Sequence, residues 1–318
     1  MIGELRIFSG SANRPLAEAI AKRAGVELGE VDIMKFSNEN IKIAYRDSVR
    51  GKDVFIIQPS CAPVNDGFME LLIMIHAARH ASAARVTAVT PYYPYVRSDK
   101  KDEKRISITA KLIADLLEAA GADRIMTMNL HSPQIQGFFN MPCDHLLAGK
   151  IMCDACTRVN NDNLSDGVVI APDAGSAKHA GHYAKRLGLP LAILDKRRSD
   201  HSETAKMNNI IGDVKGKKAF IFDDEVASGG SLIEAATMLE KNGVKDIQAY
   251  CVHGVLSRKS KERIIDSPIK KLVVTDTVFI PEEKKHDKLE IVSVADLFAS
   301  AIMYTNSDRS ISGLYDEF

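Results

Sequence analysis

The sequence predicts an α/β protein of two tandem domains, each a mainly parallel sheet flanked by helices. Three observations lead there. The chain has 318 residues, more than one domain usually holds, and its 45% hydrophobic content is enough to fill two cores. Short β-branched or apolar runs alternate with longer segments of helical period, the pattern of parallel strands covered by helices. The alternation persists through both halves.

Taken in order, the apolar run at 5–8 reads as an opening strand, and the Ser-Gly-Ser after it as a turn. Strand-like runs follow at 54–58, 86–89 and 124–130, with helical stretches at 68–81 and 108–120. In the second half the strand-like runs are 168–171, 191–194, 219–222, 247–252 and 272–275. The helical stretches there are 174–187, 231–242 and 294–304. The polar stretch 160–167 (NNDNLSDG) has the composition of a connection and puts the domain change between 144 and 167. The expected domains are residues 1–148 and 149–318, with the last residues able to pack back on the first domain.

Composition excludes several classes. Lys plus Arg (42) equals Asp plus Glu (42), so no broad positive field holds nucleic acid or an anionic membrane, and phosphate chemistry must come from local clusters. No apolar run approaches a membrane span, and the N-terminus has no basic region, long apolar core or cleavage site, so a cytoplasmic protein is expected. Of five cysteines only Cys153 and Cys156 are close, in an apparent helix with no second pair to complete a zinc site, which favours ordinary reduced thiols.

The sharpest motif is FDDEVASGGS. An apolar strand ends at Phe222, Asp223 and Asp224 close it, residues 225–230 form a loop, and Ser231 starts an amphipathic helix. Small residues at Ala227, Ser228, Gly229 and Gly230 let the backbone curl and turn its N–H groups inward, where a helix N-terminus adds its positive end. Such a turn cradles a phosphate. The two carboxylates can accept hydrogen bonds from vicinal sugar hydroxyls or reach Mg²⁺ through water. Neither a Walker loop nor a dinucleotide fingerprint is present. Alone, the segment equally suits a structural turn in which Asp224 caps the helix.

FDDEVASGGS resembles the phosphoribosyl-binding loop of phosphoribosyltransferases. The rest of the chain resembles one family of that superfamily, the ribose-phosphate diphosphokinases of the phosphate-activated class. The likeness is carried by RIFSGSANRPLA, KFSNEN, TPYYPYVRSDKKD, NLHSPQIQGFF, APDAGSAKHA, LDKRRSD, VHGVLS and SISGLY, and it runs the length of the chain.

The resemblance implies two phosphoribosyltransferase-type domains and transfer of a diphosphate from Mg-ATP to ribose 5-phosphate, with Mg²⁺ as cofactor. It implies ATP binding by Phe36, Asn38 and Asn40, by Arg97, Ser98, Asp99 and Asp102, and by His131. His131 and Asp173 would lie by the metal, and Asp223, Asp224 and Ala227 through Ser231 would bind ribose 5-phosphate. Lys196 and Arg198 would stabilise charge from a catalytic loop that closes over the substrates. Ser48, Arg50, Ser310 and Ser312 match a phosphate/ADP allosteric site between subunits, which implies a homo-oligomer, a hexamer by resemblance. The chain departs from the family pattern at Asn40, at Ala227 and at Arg258-Lys259, where Glu, an acid and Gly-Pro are usual. Two other readings share these blocks: a phosphoribosyltransferase, which needs only one such domain, and a non-catalytic regulatory paralogue.

Overall fold

The structure is a computed structural model that describes residues 2–195 and 209–314. It divides into two compact units, one of residues 2–147, 277–279 and 293–314, the other of 148–195, 209–276 and 280–292.

In the first unit the order is β1 (Leu5–Ser9), α1 (Arg14–Ala24), β2 (Val31–Lys35), β3 (Ile41–Tyr45), β4 (Asp53–Ile57), α2 (Val64–His80), β5 (Arg85–Thr90), α3 (Thr109–Ala120), β6 (Arg124–Met128) and β7 (Cys143–Leu146). β1, β4, β5, β6 and β7 form one parallel sheet in that spatial order. Every residue of β4 and β5 is buried, and both strands are made mainly of apolar and β-branched residues. Phe8, Val54, Ile56, Leu71, Met74, Val86, Ile113 and Leu117 build the core between this sheet and helices α2 and α3. β2 and β3 form a separate antiparallel hairpin.

In the second unit come α4 (Gly149–Val159), β8 (Gly167–Ala171), α5 (Ala177–Leu187), β9 (Leu191–Asp195), β10 (Asn209–Ile211), β11 (Lys218–Val226), α6 (Gly230–Lys241), β12 (Asp246–Gly254), α7 (Ser260–Ile265), β13 (Lys271–Thr275) and β14 (Leu289–Val292). The sheet order is β10-β9-β8-β11-β12-β13-β14, and only β10 is antiparallel to its neighbour. The chain leaves β8 toward β9 on one side and later returns on the other with β11. The order therefore reverses between β8 and β11, and in an open parallel sheet ligands bind at the carboxyl ends of strands beside such a reversal. The last helix, α8 (Ala295–Asn306), belongs to the first unit and packs on α1.

Three local expectations shift. β11 runs through both aspartates to Val226, because its ladder with β12 continues past Asp223 opposite Cys251 to Val226 opposite Gly254. The turn after it is therefore residues 227–229, and the helix starts at Gly230, not Ser231. α5 begins at Ala177, three residues later than the pattern suggests, because Asp173 and Ser176 close a tight turn of their own. The strand expected to reach 130 stops at Met128, where Asn129 takes a positive φ of 39°. Among the described residues no helix is long and apolar enough to cross a membrane, and no disulfide joins any of the five cysteines.

Candidate active site

The turn after β11 is built from the sheet outward. Phe222 stacks on Tyr183 (centroids 4.1 Å, 12° between planes) and on Tyr250 (5.1 Å, 20°), which fixes the strand from one face. Side chains alternate along a strand, so Asp223 emerges on the opposite face from Phe222. The Asp224 N–H donates to Asp223 Oδ1 at 2.8 Å, and the Glu225 N–H to Asp224 Oδ1 at 2.9 Å. Burial, with the Asp224 carboxylate beside it, pushes Asp223 up to about 8. The carboxyl pair thus favours company that offers hydrogen-bond donors or positive charge.

Beyond the acids the carbonyls of the turn are tied outward. Val226 O accepts from the Leu256 N–H (3.1 Å), Ala227 O from the Ser257 N–H (2.9 Å), Ser228 O from Arg263 Nη1 (3.0 Å) and Gly229 O from the Ile233 N–H (2.9 Å). Among the described residues the N–H groups of Ala227, Ser228, Gly229, Gly230 and Ser231 meet no acceptor. Gly229 sits at φ +75°, a left-handed conformation that the N-cap needs here and that glycine adopts without strain. A run of N–H groups without acceptors at the start of a twelve-residue helix has the donors and the positive dipole end that suit an anion.

Asp173 stands one strand away. β8 pairs with β11, and Asp173 follows β8 at the carboxyl edge, beside the reversal in strand order. Its Oδ1 accepts the Ser176 N–H at 2.8 Å, and the Ser176 hydroxyl bonds back to the Asp173 backbone. Mg²⁺ is commonly held by one or two carboxylates together with substrate phosphate oxygens, and one braced carboxylate with a second oxygen to offer fits an ion that arrives with a nucleotide.

In the first unit, Arg97 and His131 follow the carboxyl ends of the neighbouring strands β5 and β6. The long connection after β5 carries Arg97, Ser98, Asp99 and Asp102. It is pinned by the Ser98 N–H on Tyr95 O (2.9 Å), the Ala110 N–H on Ser98 O (3.1 Å) and the Tyr93 hydroxyl on Ala110 O (2.9 Å). Arg97 and His131 are both exposed, so a guanidinium and an imidazole stand at one sheet edge with access to solvent. Phe36, Asn38 and Asn40 occupy the tip of the β2–β3 hairpin, all exposed. There the Phe36 N–H donates to Asn40 O (2.9 Å), the Glu39 N–H to Phe36 O (2.8 Å) and the Asn40 N–H to Asn38 Oδ1 (3.2 Å).

Ser48 and Arg50 lie on the connection from β3 to β4, whereas Ser310 and Ser312 follow α8 and bond to each other at 2.9 Å. No hydrogen bond joins the two pairs among the described residues. Lys196 and Arg198 lie outside the described residues. Among the described residues no cluster of three His, Cys, Asp or Glu side chains forms a metal cage. Sequence reasoning missed the outer braces of the turn, Ser257 and Arg263. Arg263 is 35 residues from its partner inside a charged run, where nothing local marks it.

An open parallel sheet, a carboxylate pair on its strand and a small-residue turn into a helix N-terminus define a phosphoribosyltransferase-type protein. The model for the N-terminal domain of ribose phosphate pyrophosphokinase matches residues 5–121, and that for the phosphoribosyl transferase domain matches residues 144–287. The chain belongs to the ribose-phosphate pyrophosphokinase family. It is 50% identical over 311 residues to the ribose-phosphate pyrophosphokinase of Caldanaerobacter subterraneus, and 46% identical over 313 residues to that of Clostridium acetobutylicum, with 98% of each chain covered in both cases. A phosphoribosylpyrophosphate synthetase from Mycobacterium smegmatis has the same fold, with TM-score 0.90, 39% identity, and 96% of this chain and 99% of that chain covered.

Proposed function

We propose that the chain transfers the β,γ-diphosphate of Mg-ATP to the anomeric hydroxyl of ribose 5-phosphate, giving 5-phosphoribosyl 1-diphosphate and AMP. One observation carries this reading: among the described residues the turn after β11 offers five N–H groups that meet no acceptor, directly after the adjacent carboxyl groups of Asp223 and Asp224. A phosphate fits the first and vicinal hydroxyls fit the second, and a phosphorylated ribose has both.

In this reaction the anomeric oxygen bonds to the β-phosphorus while the bond from that phosphorus to the α,β-bridging oxygen breaks. AMP leaves with the bridging oxygen, and the hydroxyl proton passes to solvent. The obstacle is the meeting of two anions and the spread of charge in an in-line transition state, so fixed cations matter more than a strong base. Mg²⁺, which Asp173 would hold together with the ATP phosphates, would supply charge neutralisation on the phosphate oxygens. Arg97 and His131 bind the nucleotide phosphates, Phe36 lies against the base, and Asp173 serves the metal. Asp223 and Asp224 orient the sugar hydroxyls, and the turn at 227–231 holds the 5-phosphate. Lys196 and Arg198 stabilise the transferring group, so replacing either with Ala lowers turnover by roughly 10² to 10³.

The same proposal includes a homo-oligomer, hexameric by resemblance, with an anion site formed by Ser48, Arg50, Ser310 and Ser312. It also includes a cytoplasmic location, which suits a chain whose cysteines form no disulfide. Incubating the pure protein with Mg-ATP and ribose 5-phosphate tests the activity: AMP and phosphoribosyl diphosphate should appear in equal amounts. Formation of neither product sinks the proposal in favour of a regulatory paralogue. Release of diphosphate from phosphoribosyl diphosphate only on adding a nucleobase would make the protein a transferase. An activity that ignores inorganic phosphate would remove the allosteric assignment.

A further inference from the structure

We propose that Arg263, on α7, is a positioning residue that sets the direction of the phosphate-binding N–H groups by holding the Ser228 carbonyl outward. The inference rests on the reading of the turn given above and adds a residue to it.

In a trans peptide the C=O of one residue and the N–H of the next point opposite ways in one rigid plane, so pinning a carbonyl aims the following N–H. Three successive planes of the turn are pinned in this manner. The Leu256 N–H on Val226 O aims the N–H of Ala227, the Ser257 N–H on Ala227 O aims that of Ser228, and Arg263 Nη1 on Ser228 O aims that of Gly229. All three donors come from the single stretch 256–263. Two are backbone groups that any residue would supply; only the third is a side chain.

The third plane is also the one most able to turn. A flip of the Ser228–Gly229 peptide changes ψ of Ser228 and φ of Gly229, and glycine accepts φ of either sign at little cost. At Ser228 the backbone cannot enforce the direction alone, and the guanidinium does so. Its second arm lies alongside the next residue, since a Cβ added at Gly230 would stand 3.5 Å from Arg263 Nη2.

The platform beneath Arg263 is itself fixed. Ile264 is buried and would lie 3.7 Å from a Cβ at Gly229, and Lys288 Nζ donates to the carbonyls of Ile265 (2.7 Å) and Ser267 (3.0 Å) at the far end of α7. Arg263 is exposed, so its replacement removes a brace and leaves the core intact.

The test compares wild type, Arg263→Ala and Arg263→Gln by titration calorimetry with ribose 5-phosphate and by steady-state kinetics with each substrate varied. Arg263→Ala should raise Kd and KM for ribose 5-phosphate roughly tenfold, the worth of one hydrogen bond from a charged donor. KM for Mg-ATP should not move, and kcat should stay within about twofold. Arg263→Gln keeps an amide donor without the charge and should recover most of the affinity. Wild-type affinity for ribose 5-phosphate in Arg263→Ala would overturn the inference. So would an equal loss for both substrates accompanied by a fall in melting temperature, because that is what a purely structural residue does. Wild-type protein that fails to bind ribose 5-phosphate would overturn the reading of the turn, and the inference with it.

Discussion

Asp223 and Asp224 are linked through their own backbone: the amide of the second donates to the carboxylate of the first at 2.8 Å. This holds two acidic side chains together on a strand where Asp223 is largely withdrawn from water. Asp223 responds by keeping its proton up to about 8.

That shift has a defined sign in stability. An unfolded Asp loses its proton near 3.9, whereas the folded protein retains it on Asp223, so folding binds a proton over the interval between the two values. The contribution is complete below the unfolded value and is lost as pH rises through the folded one, at no more than about 1.4 kcal/mol per pH unit. Thermal melts of ligand-free protein should therefore show Asp223→Asn gaining on wild type from about pH 5 to about pH 8. Parallel melting curves across that range would show that Asp223 ionises normally.

A second carboxylate is held in the opposite way. Asp53, fully buried at the start of β4, accepts Arg85 Nε at 2.8 Å and Nη2 at 2.6 Å, and Asn306 Nδ2 at 2.9 Å. Arg85 Nη2 also donates to Thr305 O, so the end of α8 closes on this pair. Asp53→Ala strands a buried guanidinium and should cost about 3–5 kcal/mol, whereas Asn306→Ala leaves the pair intact and should cost about 1 kcal/mol. Urea denaturation of both variants checks the order as well as the size.

These contrasts show what the sequence could disclose. β4, β5 and β12 were legible because burial on both faces favours short runs rich in apolar and β-branched residues, such as VFII, VTAV and AYCV. The β2–β3 hairpin is half exposed, so its strands, VDIMK and IKIAY, went unread although the polar cluster SNEN stands between them. β11 runs four residues past its expected end at Phe222, since a ladder through Cys251 and His253 outweighs the poor strand preference of Asp223, Asp224 and Glu225. The small-residue turn was legible because its chemistry is local. The ion pair that closes on α8 depends on residues more than 200 positions apart, and no local pattern records it.

Gly229 tests whether the backbone of the turn, apart from its side chains, carries the binding. A methyl group there would meet Ile233 at 3.5 Å and Ile264 at 3.7 Å, ordinary contact distances, so space is not the obstacle. The obstacle is φ +75°, which costs an L-residue roughly 1–2 kcal/mol. Gly229→Ala should lower folding stability by that amount or relax the turn. In the second case KM for ribose 5-phosphate rises and KM for Mg-ATP does not. A variant with unchanged stability and unchanged KM would mean the turn neither needs this conformation nor uses it.

Phe36 provides the corresponding test on the nucleotide side. It is 46% exposed at a hairpin tip whose shape is set by backbone bonds between residues 36, 39 and 40, so its ring is not required to hold the hairpin together. An aromatic ring left in water at such a place has no folding role to lose, and its truncation should change stability by less than about 0.5 kcal/mol. A ring that lies against a base is worth roughly 1–3 kcal/mol in binding, so Phe36→Ala should raise KM for Mg-ATP about tenfold or more. KM for ribose 5-phosphate should hold, because the residues proposed to bind it, 223–231, belong to a different unit of the chain. Phe36→Tyr keeps the stacking face and should restore ATP binding; a Tyr variant as weak as the Ala variant would show that the ring acts by something other than stacking.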